Sequence, residues 1–214
     1  MEGAKEMDGQ NQAKDGNKDK ETFIVLLRET NRAGMDKVVE GLEKLGFFDA
    51  PASSKHHLAE KGGLVKHSLN VCYQAEAIAN AQIGLNPNLS KRLPLDSVRL
   101  VALLHDVCKA EIYKPELKHR KNPDGRWEDY YGYTQDYSYC PLGHGEKSVI
   151  RLLRMGLDLT NDEILAIRWH MAGWDLADSY EAKGNFNAAC EKSPLLSILI
   201  AADELATRIS EVAV

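Results

Sequence analysis

The chain has 214 residues, 43% of them hydrophobic and 28% charged, with 27 Lys and Arg against 32 Asp and Glu and a formal net charge of −5. That length suits one soluble domain with appendages. The acidic balance argues against a protein that grips long nucleic acid, and no apolar run reaches the roughly 18 residues of a membrane helix. No apolar h-region opens the sequence, and Cys72, Cys108, Cys140 and Cys190 are scattered, so reduced thiols and a cytoplasmic location are expected.

Residues 1–20 are polar and hold no aromatic or β-branched residue. Such a segment buries too little apolar surface to offset its ordering entropy, so a disordered tail is expected ahead of a single domain over 21–214. Phe23, Ile24, Leu26 and Leu27 open a first amphipathic segment. Met35, Val38, Val39, Leu42 and Leu45 form a second, closed by Gly46 as its C′ glycine. After a loop through Pro51 and the pair Gly62-Gly63, a long helix is expected over roughly 64–82, and a very apolar one from Leu95 to about Lys109. A Pro-Asp-Gly turn signal between two polar, partly aromatic arms predicts a β-hairpin near 114–133. Helices resume near 142–156, 161–172 and 193–211. With so little strand, the fold class is all-α, a helical bundle with one small hairpin excursion.

The chemistry lies in the placement of the seven histidines. His67 shares a helical stripe with Val71, Ala75 and Ile78, and His105 shares one with Val98, Val101 and Ala102. Asp106 sits about 100° further round the helix. Asp203 lies among Leu196, Leu199, Ile200 and Ala206, whereas Glu204 points elsewhere. His170 follows Ala166 and Ile167, and His144 precedes a run with Val149, Leu152 and Leu153. Any one of these histidines alone reads as a hydrogen-bonded core residue. Five segments that each offer an inward donor read as a metal centre, because a buried carboxylate is costly unless paired or bound to a cation. Imidazole with carboxylate suits Fe, Mn, Ni, Co or Zn. Six donors exceed the four of a structural zinc site, so two ions bridged by one carboxylate are expected.

The segments GGLVKHSLNV, LLHDVCK, GHGEKS, IRWH and AADE, in this order, resemble the HD-domain superfamily of metal-dependent phosphohydrolases. The similarity covers about 55–207, and KHHLAEKGGLVKHS is similar to the HD portion of certain 3′–5′ exoribonucleases. Those proteins carry an additional OB-type domain, for which this chain has no room. The resemblance implies an HD-type helical bundle and a phosphoester hydrolase working by metal-activated hydroxide. It places His67, His105, Asp106 and Asp203 on one ion, with Asp106 bridging to a second on His144 and His170. Asp106 and Lys109 are the implied catalytic residues. Lys109, three residues after Asp106, rises on the same side of the helix and would hold a phosphate oxygen.

His56 and His57 are candidate substrate contacts, whereas His119 on the hairpin reads as a surface residue. The hairpin interleaves aromatics such as Trp127, Tyr130 and Tyr131 with Lys118, Arg120 and Lys121, which suits a lid that stacks bases and holds phosphates. The expected substrate is a small phosphoester, a nucleotide or short oligonucleotide. Two alternatives share the ligand pattern: a di-iron oxygenase of the inositol-oxygenase type, and a non-catalytic metal-binding regulatory module.

Overall fold

The structure, a computed structural model, describes residues 17–175 and 177–212. Most of the expected tail, residues 1–16, lies outside them. Residues 17–20, expected in the tail, are instead helical and belong to α1 (17–29). Local pairs hold them there. Asn17 donates to the Glu21 carboxylate at 2.8 Å, and Lys20 pairs with Glu43 at 2.9 Å while its ammonium lies 5.1 Å from the centre of the Phe48 ring.

Helix α2 (Met35–Leu45) buries Met35, Val38, Val39 and Leu42 and ends at Gly46, whose φ of 78° is the left-handed conformation a helix-ending glycine supplies. A short 3₁₀ turn, Phe47–Asp49, follows and stacks Phe47 and Phe48 with Phe23 of α1. Helix α3 (Gly63–Leu85) is the spine of the domain. It packs on α4 (Leu95–Leu104) and on α9 (Pro194–Leu205), and α9 in turn packs on α7 (Asn161–Trp169), which also meets α6 (His144–Arg154). The core is one continuous cluster of aliphatic side chains from these helices, with Leu64, Leu100, Leu103, Leu152, Ile167 and Leu199 fully buried.

Three elements differ from expectation. The helix expected to run to Lys109 ends at Leu104. The chain then tightens into i→i+3 hydrogen bonds (Lys109 N to Asp106 O, 2.9 Å; Ala110 N to Val107 O, 3.3 Å) before a single turn, α5 (Lys109–Ile112). Helix α8 (Tyr180–Lys192) had no signature in the sequence. Among its residues only Ala189 is buried, and Ser179 caps it by accepting from Ala182 N at 3.1 Å. The last helix is α only to Leu205 and continues as a π turn, Ala206–Ser210.

The hairpin forms as expected, three residues longer. β1 (Tyr113–Lys121) pairs antiparallel with β2 (Trp127–Gln135), in a register that sets Lys121 opposite Trp127 and Leu117 opposite Tyr131. Gly125 closes the turn at φ 77°. The architecture is mostly α with one small two-stranded sheet. Among the described residues no helix is long and apolar enough to cross a membrane.

A polar anchor ties the start of the domain to α7. Glu163 is fully buried. It accepts from Arg32 at 2.7 Å, from Ser97 Oγ at 2.7 Å and from Thr160 N at 2.8 Å, the last closing a capping box at the α7 N-terminus.

Candidate metal centre

Four elements deliver polar side chains to one buried point. His67 projects from the first turns of α3, His105 and Asp106 from the tight turn after α4, His170 from the C-cap of α7, and Asp203 from the last turn of α9. His67, His105 and His170 are almost wholly buried, as is Asp106. Nε2 of His67 lies 3.6 Å from Asp106 Oδ2 and 3.3 Å from Asp203 Oδ1. Nε2 of His105 lies 3.2 Å from Asp106 Oδ2, and Nε2 of His170 lies 3.4 Å from Asp106 Oδ1. His67, His105 and Asp203 form one set whose ligand atoms are all within 4.8 Å of one another; His105, Asp106 and His170 form another.

The other ring nitrogens are occupied. Nδ1 of His105 donates to Ala102 O at 2.9 Å and Nδ1 of His170 to Ile167 O at 2.8 Å, each closing on the preceding helical turn. Nδ1 of His67 meets Glu211 at 3.0 Å, and Asn70 donates to the same carboxylate at 3.0 Å. This is the outer arrangement of metal-ligating histidines: one nitrogen anchored on a carbonyl or carboxylate, the other turned to the ion. Nε2 of all three histidines and Oδ1 of Asp106 are buried with no hydrogen-bond partner among the described residues. Buried polar atoms are ordinarily satisfied, so four orphaned acceptor positions aimed at one point fit a cation.

Two glycines permit the convergence. A Cβ on Gly63 would stand 2.0 Å from Leu58 O, so only glycine lets the 51–62 loop close over the start of α3. That closure sets the His57 ring 5.2 Å from the His67 ring, with Nε2 3.8 Å from Glu211. A Cβ on Gly145 would stand 2.1 Å from Arg168 O. Glycine there lets the N-terminus of α6, which begins with His144, abut the C-terminus of α7, which is capped by His170.

Electrostatics follow from the packing. Burial alone would push the His67 imidazole down, but the Asp203 and Glu211 carboxylates outweigh it and hold the group up to about 9. Burial likewise opposes charge on Asp106, and the cations beside it, Lys109 first, keep its carboxyl well below the usual range. His170 is raised by Asp106 against burial. Lys109 Nζ sits 2.6 Å from Asp106 Oδ2, and that carboxylate, with Asp203 beyond it, raises the ammonium further despite its burial. In the absence of an ion, a proton on His67 and the charge on Lys109 offset the acids.

Of the residues singled out from sequence, His67, His105, Asp106, His170, Asp203 and Lys109 come together here. His144 shares a set with Asp106 and Cys108, not with His170. His57 lines the centre beside His67, whereas His56 is exposed and joins no such set. His119 pairs with Asp129 at 2.6 Å on the hairpin. The hairpin base adjoins the centre: Tyr113 lies in the field of Lys109 and Asp106, and the Tyr137 ring is 6.5 Å from that of His144. Its distal half projects outward, with Trp127 and Tyr131 exposed.

Sequence reasoning missed Glu211, Cys108 and Lys147. Glu211 follows a polar run at the chain end, and only the π turn, with Glu211 N bonding to Ala206 O, brings it back to His67. Lys147, one turn after His144, is 1% exposed; burial pushes the Cys108 thiol up to about 12, and Lys147 opposes that shift together with Lys109. The spacing from His144 was its available signal. No protein-family model, curated protein or solved structure matches this chain.

Proposed function

We propose that this chain is a metal-dependent phosphohydrolase of the HD-domain type, acting on a small phosphoester such as a nucleotide or short oligonucleotide. The observation that carries the reading is the ring of orphaned Nε2 atoms around the Asp106 carboxylate with the Lys109 ammonium beside it. His67, His105, Asp106 and Asp203 would hold one divalent transition ion, and Asp106 would reach a second. Such ions lower the pKa of a bound water and take up charge on phosphoryl oxygens.

The chain's own groups supply the rest. Lys109 and Lys147, both nearly buried, each place positive charge near Cys108, two residues from Asp106, which favours an anionic ligand over a neutral one. Lys109 is fixed by its ion pair with Asp106, so its remaining protons are free to meet a phosphoryl oxygen as charge develops. His57, packed on His67, borders the centre where a leaving group would sit. The net charge of −5 favours a small ester over a polymer.

The test is turnover. Protein reconstituted with Mn, Fe, Co or Ni should release phosphate or p-nitrophenol from members of a panel of phosphomonoesters, cyclic nucleotides and short oligonucleotides. Oxygen consumption with a mixed-valent iron signal would instead establish an oxygenase. Full metal occupancy without turnover would establish a binding module.

A further inference from the structure

His144 and His170, expected to share an ion, stand in different sets that meet only at Asp106. The His144 set therefore needs another donor. Cys108 Sγ lies 3.4 Å from His144 Nδ1, and Asp106, Cys108 and His144 present ligand atoms all within 4.8 Å of one another. Cys108 is fully buried, and the Asp106 carboxylate that completes the set carries an orphaned oxygen, Oδ1. We infer that Cys108 is a metal ligand, and that Asp106, Cys108 and His144 form a mixed oxygen–sulfur–nitrogen site for a borderline-soft ion, Zn(II), Co(II) or Fe(II). This inference rests on the metal reading of the centre and adds to it the identity of the third donor and the class of ion.

The local structure builds the site. Cys108 stands two residues beyond Asp106 in the tight turn that replaces the end of α4. Its backbone N–H is held by Ser148 Oγ at 3.2 Å, and Ser148 lies one turn beyond His144 on α6. The turn and the helix that supply the sulfur and the imidazole are thus fastened to each other. The separation also suits coordination. With a Zn–S bond of about 2.3 Å and a Zn–N bond of about 2.05 Å, ligand atoms 3.4 Å apart subtend an angle of about 100° at the ion. Thiolate and imidazole together favour Zn, Co or Fe over Mg or Mn, which prefer oxygen. Three protein donors leave a position open for water or substrate, the arrangement of a catalytic ion and not of a structural one.

The test is X-ray absorption and optical spectroscopy on the full chain loaded with Zn(II) or Co(II). Wild-type protein should show a sulfur shell at about 2.3 Å and, with cobalt, a near-ultraviolet thiolate charge-transfer band. Both should vanish in Cys108→Ser and Cys108→Ala and persist in Cys140→Ser and Cys190→Ser. Circular dichroism confirms folding, and the two Cys108 variants, one polar and one apolar, guard against a packing artefact. Bound metal with no sulfur shell in the wild type would overturn the inference alone, leaving Cys108 as a hydrogen-bond partner of His144. Absence of any bound Zn(II) or Co(II) would overturn the metal reading and this inference with it.

Discussion

Asp106 Oδ1 and His170 Nε2 face each other across 3.4 Å in the protein interior, and neither has a hydrogen-bond partner among the described residues. His170 cannot turn away, because its Nδ1 is committed to Ile167 O. Two lone pairs fixed nose to nose are repulsive unless a proton or a metal ion lies between them. The same conflict recurs at His105 and His67, around one carboxylate. Competition between protons and metal at this point governs several expected behaviours.

The first concerns pH. In metal-free protein the His67 imidazole is held up to about 9 by Asp203 and Glu211, against an unperturbed value near 6.5. A folded-state value above the unfolded one stabilises the protein fully below about 6.5, and that contribution is lost as pH rises through about 9. Thermal midpoints of chelator-treated protein should therefore fall between pH 6.5 and 9, and His67→Gln should flatten the fall. Metal affinity, measured by competition with a chelator, should rise over the same interval, because the ion displaces that proton.

The second concerns Glu211. Its carboxylate holds His67 Nδ1 at 3.0 Å without belonging to the orphaned ring of donors. Glu211→Ala should weaken metal binding by about 10- to 100-fold, the usual cost of losing an outer carboxylate on a ligating histidine. Isothermal titration should show reduced affinity at unchanged stoichiometry.

Lys109 offers the third. It contacts Asp106 but is not a metal ligand, so Lys109→Ala should retain metal. Turnover should fall by about 10²- to 10³-fold, as for removal of one donor to developing charge. Steady-state kinetics beside metal analysis separates the two effects.

A fourth lies far from the chemistry. Glu163→Ala would leave Ser97 and the Thr160 N–H without their acceptor and strip Arg32 of its buried partner. Unfolding in urea should show a loss of about 2–4 kcal/mol, with the metal ligands untouched.

The sequence made the inward faces legible where a donor sits on, or just beyond, a helix whose apolar repeat marks the core side. His67 with Val71 and Ala75, and Asp203 with Leu199 and Ala206, are read directly from spacing. The hairpin was legible from its Pro-Asp-Gly turn. What could not be read were departures from regular helix. The i→i+3 turn at 105–108 turns Cys108 toward His144, and the π turn at 206–210 returns Glu211 to His67. Helix α8 escaped because it buries a single residue and so has no apolar stripe to reveal it.

The central claim is that Asp106 lies at the heart of a metal centre, and metal content tests it most directly. Purified wild-type protein, loaded with Mn, Fe, Co, Ni or Zn and freed of loose ions, should retain a divalent transition ion at or above one equivalent. Asp106→Ala, folded by circular dichroism, should retain almost none, while His144→Ala keeps the ion on His67, His105 and Asp203. Wild-type protein that binds no metal, or a folded Asp106→Ala that binds as much as wild type, would contradict the account.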